Sequence, residues 1–421
     1  MRRAKARLKD SAELRKHLRI GFRLVLLRSQ ALFVAVIGVV SLSLISASSI
    51  AADKVLVAEL MRSAQSGLWS NATTWEGGRI PTAGARVQIR ESDTVVYDVF
   101  SDLPIRLIHV AGALTFATYK SKRLDVGLIK IQPGSDAGED GFDCEAHLPE
   151  LPDGAPRPRL QVGTPDLPIS AQHTALIRLI DCDDVDKTSW PAIVCCGGRM
   201  DFHGARLNRT WVKLGETAKA ADRILTLAEP VFGWRVRDRV IVTATTLKRA
   251  GQYRSDEVET EERFVSAIDG KMLTLDKPLS FEHFAEGEFR AEVAKLSRNV
   301  TVESAEPDRV RGHTMYHHGS TGSISYAEFR HLGKENTLGR YSLHFHLVGD
   351  TMRGSSVEGA SIWDSGNRWL TVHGTNYLIV RDCVGYRSRG HGFYLEDGTE
   401  VMNVFDRNLA VQAYAATLPA C

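Results

Sequence analysis

Along most of this chain, apolar and polar residues alternate in short runs bounded by glycine, proline and polar corners. Alternation with period two is the pattern of strands that bury one face. Residues 87–89, 94–97, 107–110 and 128–131 are such runs, and 66–133 holds no long stretch with helical periodicity. Residues 134–158 interrupt the pattern with Gly, Pro and acidic residues, which marks a loop. Strand-like runs resume at 211–214, 224–227, 239–242 and 272–275, and a coil-like series follows at 299–302, 323–326, 357–362 and 378–384.

The chain is organised around 339–398. Its three pieces overlay with Gly339, Gly366 and Gly390 aligned at spacings of 27 and 24. In that register Leu343 stands over Leu370 and Tyr394, and His346 over His373 and Asp397. A repeat of this length built from short strands points to a solenoid, here a right-handed parallel β-helix. The expected fold is all-β, with a first β domain over 66–195, a β-rich middle segment over 196–295 and the β-helix over 296–421. The last candidate coil is followed by no closing element, so a truncated chain or an unrelated cap is expected.

Charge changes the picture only at the start. Residues 1–30 hold ten Lys/Arg against Asp10 and Glu13, and an apolar run, 31–45, and a small-residue stretch, 46–52, come next. That order is the signature of a secretory signal peptide cleaved near Ala51 or Ala52, with an uncleaved signal anchor as the alternative. Either way the protein is expected to be secreted or at the cell surface, touching a membrane only through this segment. The net charge of +2 and pI of 8.2 owe their sign to the basic start, so no nucleic-acid partner is expected. Of the six cysteines none forms a CxxC pair, and a Cys182–Cys195 disulfide fits an oxidising compartment.

The glycine-rich motifs carry a resemblance. Ser66-Gly67-Leu68-Trp69-Ser70, 74–81, 81–84, 110–116 and 160–164 resemble the G8 domain, with Gly84-Ala85 where that family has Gly-Asp. Joined to 339–350, Thr371-Val372-His373-Gly374-Thr375 and 390–398, the chain resembles the family of the cell-migration-inducing hyaluronan-binding protein and its transmembrane hyaluronidase relative, with related pieces in polyductin/fibrocystin. Ser342 stands where that family has proline. The resemblance implies an extracellular role on polysaccharide, binding or depolymerising hyaluronan, with calcium as cofactor.

The candidate chemistry follows from the same residues. Glycosidic cleavage commonly takes two carboxylates, and Glu396 and Asp397 are adjacent, so on a strand they face opposite ways unless a turn at Gly398 intervenes. An Asp–His pair suits general acid/base work, which makes His373, flanked by His346 and Asp397, the centre of the candidate catalytic set. His344 and His391 complete that set. Three such groups also suit a metal ion. Arg340 is the candidate for orienting a uronic carboxylate, and Trp369 for stacking on a sugar, against a plain packing role. A polar ladder serving only its own hydrogen bonds is the structural alternative for the column. His313, His317 and His318 read as structural, and the acidic loop as a solvated insertion rather than a calcium site. The functional alternatives are a hydrolase of acidic polysaccharide, a non-catalytic glycan-binding surface or matrix protein, and a uronate lyase.

Overall fold

The computed structural model describes residues 59–135, 137–139, 156–246 and 258–416. The candidate signal segment 1–52 and most of the acidic loop, 140–155, lie outside the described residues. The described residues of the unit Val57–Cys421 wind into a parallel β-helix with one insertion.

Each coil contributes a strand to each of three faces. On the first face, Arg86–Ile89, the second half of Phe100–Val110, the end of Lys122–Ile131, Ala192–Cys196, His313–His317, Leu343–Gly349, Leu370–Thr375 and Phe393–Leu395 follow one another, every pair parallel. The second face runs from Gly67–Leu68 through Arg159–Val162 to Val404–Asp406. The third runs from the front of Lys122–Ile131 through Ala175–Leu179 and Val300–Ser304 to Leu409–Tyr414. Inward positions fill a single apolar core, with Tyr316 stacked on Phe345 at 4.7 Å and Leu343 over Leu370. Full burial of each such side chain contributes about 1.5–3 kcal/mol.

The β-helix therefore does not begin at 296. The strands of 66–195 lie in the same sheets as those of the later coils, and only the middle segment is a separate packing unit. That segment leaves the helix after Arg199–His203 and returns at Val300–Ser304. It forms a six-stranded antiparallel sheet around Val212, Leu214, Leu225, Val240 and Leu273. Later coils turn the same corner with one residue in the left-handed region: Tyr326, Gly359, Asp382 and Arg407, at φ of 50°, 62°, 52° and 50°. One residue at positive φ bends the chain without using a ladder position. The insertion replaces that turn.

The third overlaid coil is shifted by one residue from the sequence expectation. Leu370 pairs with Phe393, not Tyr394, and Val372 with Leu395. The corner before this strand is one residue shorter than its predecessors, because Gly392 lies against the buried Trp369: a Cβ there would sit 2.6 Å from Cζ3 of the indole. The Glu396 amide then donates to Val372 O at 2.9 Å, so Glu396, not Asp397, continues the column below His373. A one-residue slip exchanges the two faces of a strand.

The cysteines do not pair as expected. Cys182 and Cys195 are both free thiols. Cys195 points into the helix core, whereas Cys182 packs with Trp190 on the outside of the sheet, so the sheet separates them.

Candidate functional site

With Leu343, Phe345, Leu370 and Val372 facing the core, period two turns His344, His346 and His373 outward on the first face. His346 stands directly over His373, with Nδ1 atoms 2.9 Å apart. The His344 ring lies 4.8 Å from that of His346, and Tyr341 covers it at 4.7 Å. That cover leaves His344 only 1% exposed although it faces outward.

Neighbours decide which nitrogens carry protons. His344 Nδ1 lies 2.9 Å from Gly339 O and must donate there, which leaves the Nε2 lone pair free. That Nε2 is buried and has no hydrogen-bond partner. His373 Nε2 lies 3.1 Å from Asp397 Oδ2, an ion-pair contact off the hydrogen-bond direction that favours the proton on Nε2 and leaves the Nδ1 lone pair toward His346. The proton between the two Nδ1 atoms then sits on His346.

Both acids reach the same imidazole. The strand Phe393–Leu395 ends before Glu396, and the turn through Gly398 lets consecutive carboxylates face one group. Glu396 Oε2 lies 3.8 Å from His373 Nδ1 and 3.9 Å from His344 Nε2. Its other oxygen accepts from Tyr341 Oη at 3.2 Å and lies 3.1 Å from Arg368 Nη1, an ion pair off the hydrogen-bond direction. Arg368 is buried between the rings of Tyr341 and Tyr394, at 4.6 and 4.0 Å.

Burial, reinforced by the neighbouring imidazole of His346, holds His344 well below the usual histidine range. Burial, and then His373, takes His346 down to about 4. His344 and His346 are therefore neutral at physiological pH, the form that accepts a proton or binds a metal.

The structure separates the other candidates from this cluster. His391 sits at the corner with its ring 4.4 Å from Tyr394, lining a groove with Tyr341, Asn367, Arg368 and Arg389. Arg340 donates through Nε to Thr188 O at 3.2 Å. Trp369 is no sugar platform: it is buried in the core, edge-on to Phe393 at 5.6 Å, and Gly392 closes over its ring. Tyr341 and Arg368 escaped the sequence reading because both lie at corners, where alternation assigns no face. His317, which the sequence pattern alone assigns to structure, also stands in this column. It lies above His346 with rings 5.1 Å apart, and the recurring aromatic–His pair Tyr316-His317, Phe345-His346 was the signal.

Comparison with known proteins adds the family. Residues 74–215 match the G8 domain and residues 309–421 match the CEMIP beta-helix. The early coils are therefore similar to a G8 domain, and the later ones to a CEMIP beta-helix. The G8 match spans the early coils and the entry to the insertion, and the β-helix match contains the whole imidazole–carboxylate cluster. Human Fibrocystin-L is 28% identical over 404 residues, covering 83% of this chain and 9% of that protein. A G8 domain-containing protein of Dictyostelium discoideum is 32% identical over 367 residues, covering 84% of this chain and 24% of that one. The chain thus spans less than a quarter of the length of either relative. Among solved structures, a tailspike of an Acinetobacter baumannii bacteriophage, in complex with capsular saccharide, is 8% identical with a TM-score of 0.20, covering 74% of this chain and 53% of that one.

Proposed function

We propose that the outer first face of the β-helix binds an acidic polysaccharide of the hyaluronan type and depolymerises it, in an exported protein. The observation that carries the reading is the Asp397–His373 pair, with the carboxylate 3.1 Å from Nε2 and the Nδ1 atom turned toward Glu396 and His346. A base so oriented exchanges a proton with the glycan or with a water bound to it. Beside it, Asn367, Arg389 and His391 line a groove able to offer hydrogen bonds and positive charge to a uronic carboxylate. The match of 309–421 to the CEMIP beta-helix supports the glycan class, and the charge order of 1–52 supports export.

Calcium does not fit this cluster. It takes six to eight oxygens, and the atoms facing one another here are three imidazole nitrogens and one carboxylate oxygen.

A uronate lyase is the second reading. Glu396 and Asp397 both end on one imidazole instead of flanking an open bond, which favours one central base over a two-carboxylate hydrolysis. The test is incubation of the exported chain with a panel of acidic polysaccharides, followed by sizing and ultraviolet absorbance. Shortened polymer is expected. New absorbance assigns elimination and its absence hydrolysis. Polymer retained at full length removes the cleavage reading and leaves a glycan-binding protein.

A further inference from the structure

We propose that His344, His346, His373 and Glu396 form a binding site for a divalent transition-metal ion of the zinc class. His344, His346 and His373 each offer a nitrogen within 4.8 Å of the others. Glu396 Oε2 stands 3.8 and 3.9 Å from two of the rings. The Nδ1 atoms of His346 and His373 stand 2.9 Å apart, so a small parting of the rings lets both reach one ion. Nitrogens bound at ~2.1 Å and at the tetrahedral angle lie ~3.4 Å apart.

Two further observations point the same way. Two outer nitrogens lie against acceptors that turn the inner lone pairs toward the cluster: Gly339 O accepts from His344 Nδ1, and Asp397 Oδ2 lies 3.1 Å from His373 Nε2, while His346 would lose its Nδ1 proton on binding an ion. A carboxylate or carbonyl on the far nitrogen is the usual support of a metal-bound imidazole. The 1%-exposed His344 also aims an unpartnered Nε2 into the cluster. A buried acceptor without a partner is destabilising, and an ion supplies the partner. Three nitrogens and one oxygen suit zinc, iron, copper or nickel. Tyr341 and Arg368 hold the second oxygen of Glu396, leaving Oε2 turned toward the cluster.

The inference rests on this geometry and deepens the reading of the same site. With an ion bound, His373 Nδ1 would be a ligand, and the proton acceptor would be the hydroxide formed when the ion acidifies a bound water, beside the partly exposed His373 and Asp397.

The test uses the exported chain, stripped with chelator and titrated without polysaccharide. Zn²⁺ is followed by calorimetry, Co²⁺ by its absorption spectrum, and Ca²⁺ serves as control. One zinc per chain is expected, with imidazole-type cobalt absorption. Asp397→Asn should weaken zinc by ~10–100-fold, and His346→Gln should remove most binding. No zinc bound by the wild type overturns the proposal, as does equal affinity in the wild type and both variants. If circular dichroism shows His346→Gln unfolded, Asp397→Asn, at a side chain 44% exposed, decides alone. A chain that binds zinc but leaves every polysaccharide intact upholds the metal site and removes the cleavage reading. Cleavage by a chain that binds no zinc does the reverse.

Discussion

His373 is the residue on which the most depends, because each of its nitrogens meets a different partner: Asp397 on one side, His346 and Glu396 on the other. His373→Ala is expected to lower polymer cleavage by ~10²–10⁴-fold, the usual worth of general acid/base help. Loss of a hydrogen-bonding partner from a half-buried stack costs on the order of 1–3 kcal/mol, so melting and cleavage must be measured on one sample. Wild-type cleavage at a lowered melting temperature would assign the column to structure. Asp201 is a second residue with a legible role. Burial alone would raise its carboxyl, but His203, Arg199 at 3.0 Å and the Ser323 amide at 2.9 Å outweigh that and hold it below the usual range. A folded pKa below the unfolded one stabilises above the unfolded value, ~3.9 for Asp, and the benefit is lost as pH falls through the folded value. The melting temperature of the wild type should therefore fall more steeply below about pH 4 than that of Asp201→Asn, which starts lower. Parallel curves would remove Asp201 from acid unfolding.

At the scale of strands and corners, one glycine sets the site. Gly392 lets the chain pass within contact of Trp369 and start the strand Phe393–Leu395 one residue early, which aligns Glu396 with His373. Gly392→Ala puts a methyl group against the buried indole. Overpacking of this kind costs ~1–3 kcal/mol, read as a lower melting temperature. If the strand moves instead, Glu396 leaves the column and a crystal structure of the variant would display the shift. An unchanged melting temperature and register would reject this account of the corner.

For the molecule as a whole, contacts between the insertion and the β-helix predict that the two unfold as one cooperative unit. Ile241, Ala294 and Leu296 of the insertion pack with Trp363, Val384, Tyr386 and Val411 of the helix. Tyr386 Oη donates to Glu262 at 3.1 Å, and Arg387 pairs with the same carboxylate at 2.8 Å. Trp363→Ala empties the middle of this contact, at a cost of ~3–5 kcal/mol. Calorimetry should give a single transition for the wild type and a lowered or split one for the variant. Two transitions already in the wild type would show that the insertion folds independently.

Alternation and glycine spacing alone established the strands, the solenoid and the stacking of His346 on His373, because those depend on local period and a repeating length. The motifs alone likewise singled out both families that the chain matches. Three things needed the tertiary structure. The G8 stretch is continuous with the later coils because strands far apart in sequence pair in parallel, which no local pattern records. The register of the last coil was decided by Gly392 against Trp369, a contact across coils. The roles of Tyr341 and Arg368 arise at corners, where side-chain direction is set by packing against neighbouring coils and not by alternation. For the same reason, two carboxylates that a strand would hold on opposite faces both end on His373: the strand stops at Leu395, and the turn that follows is free to bring them together.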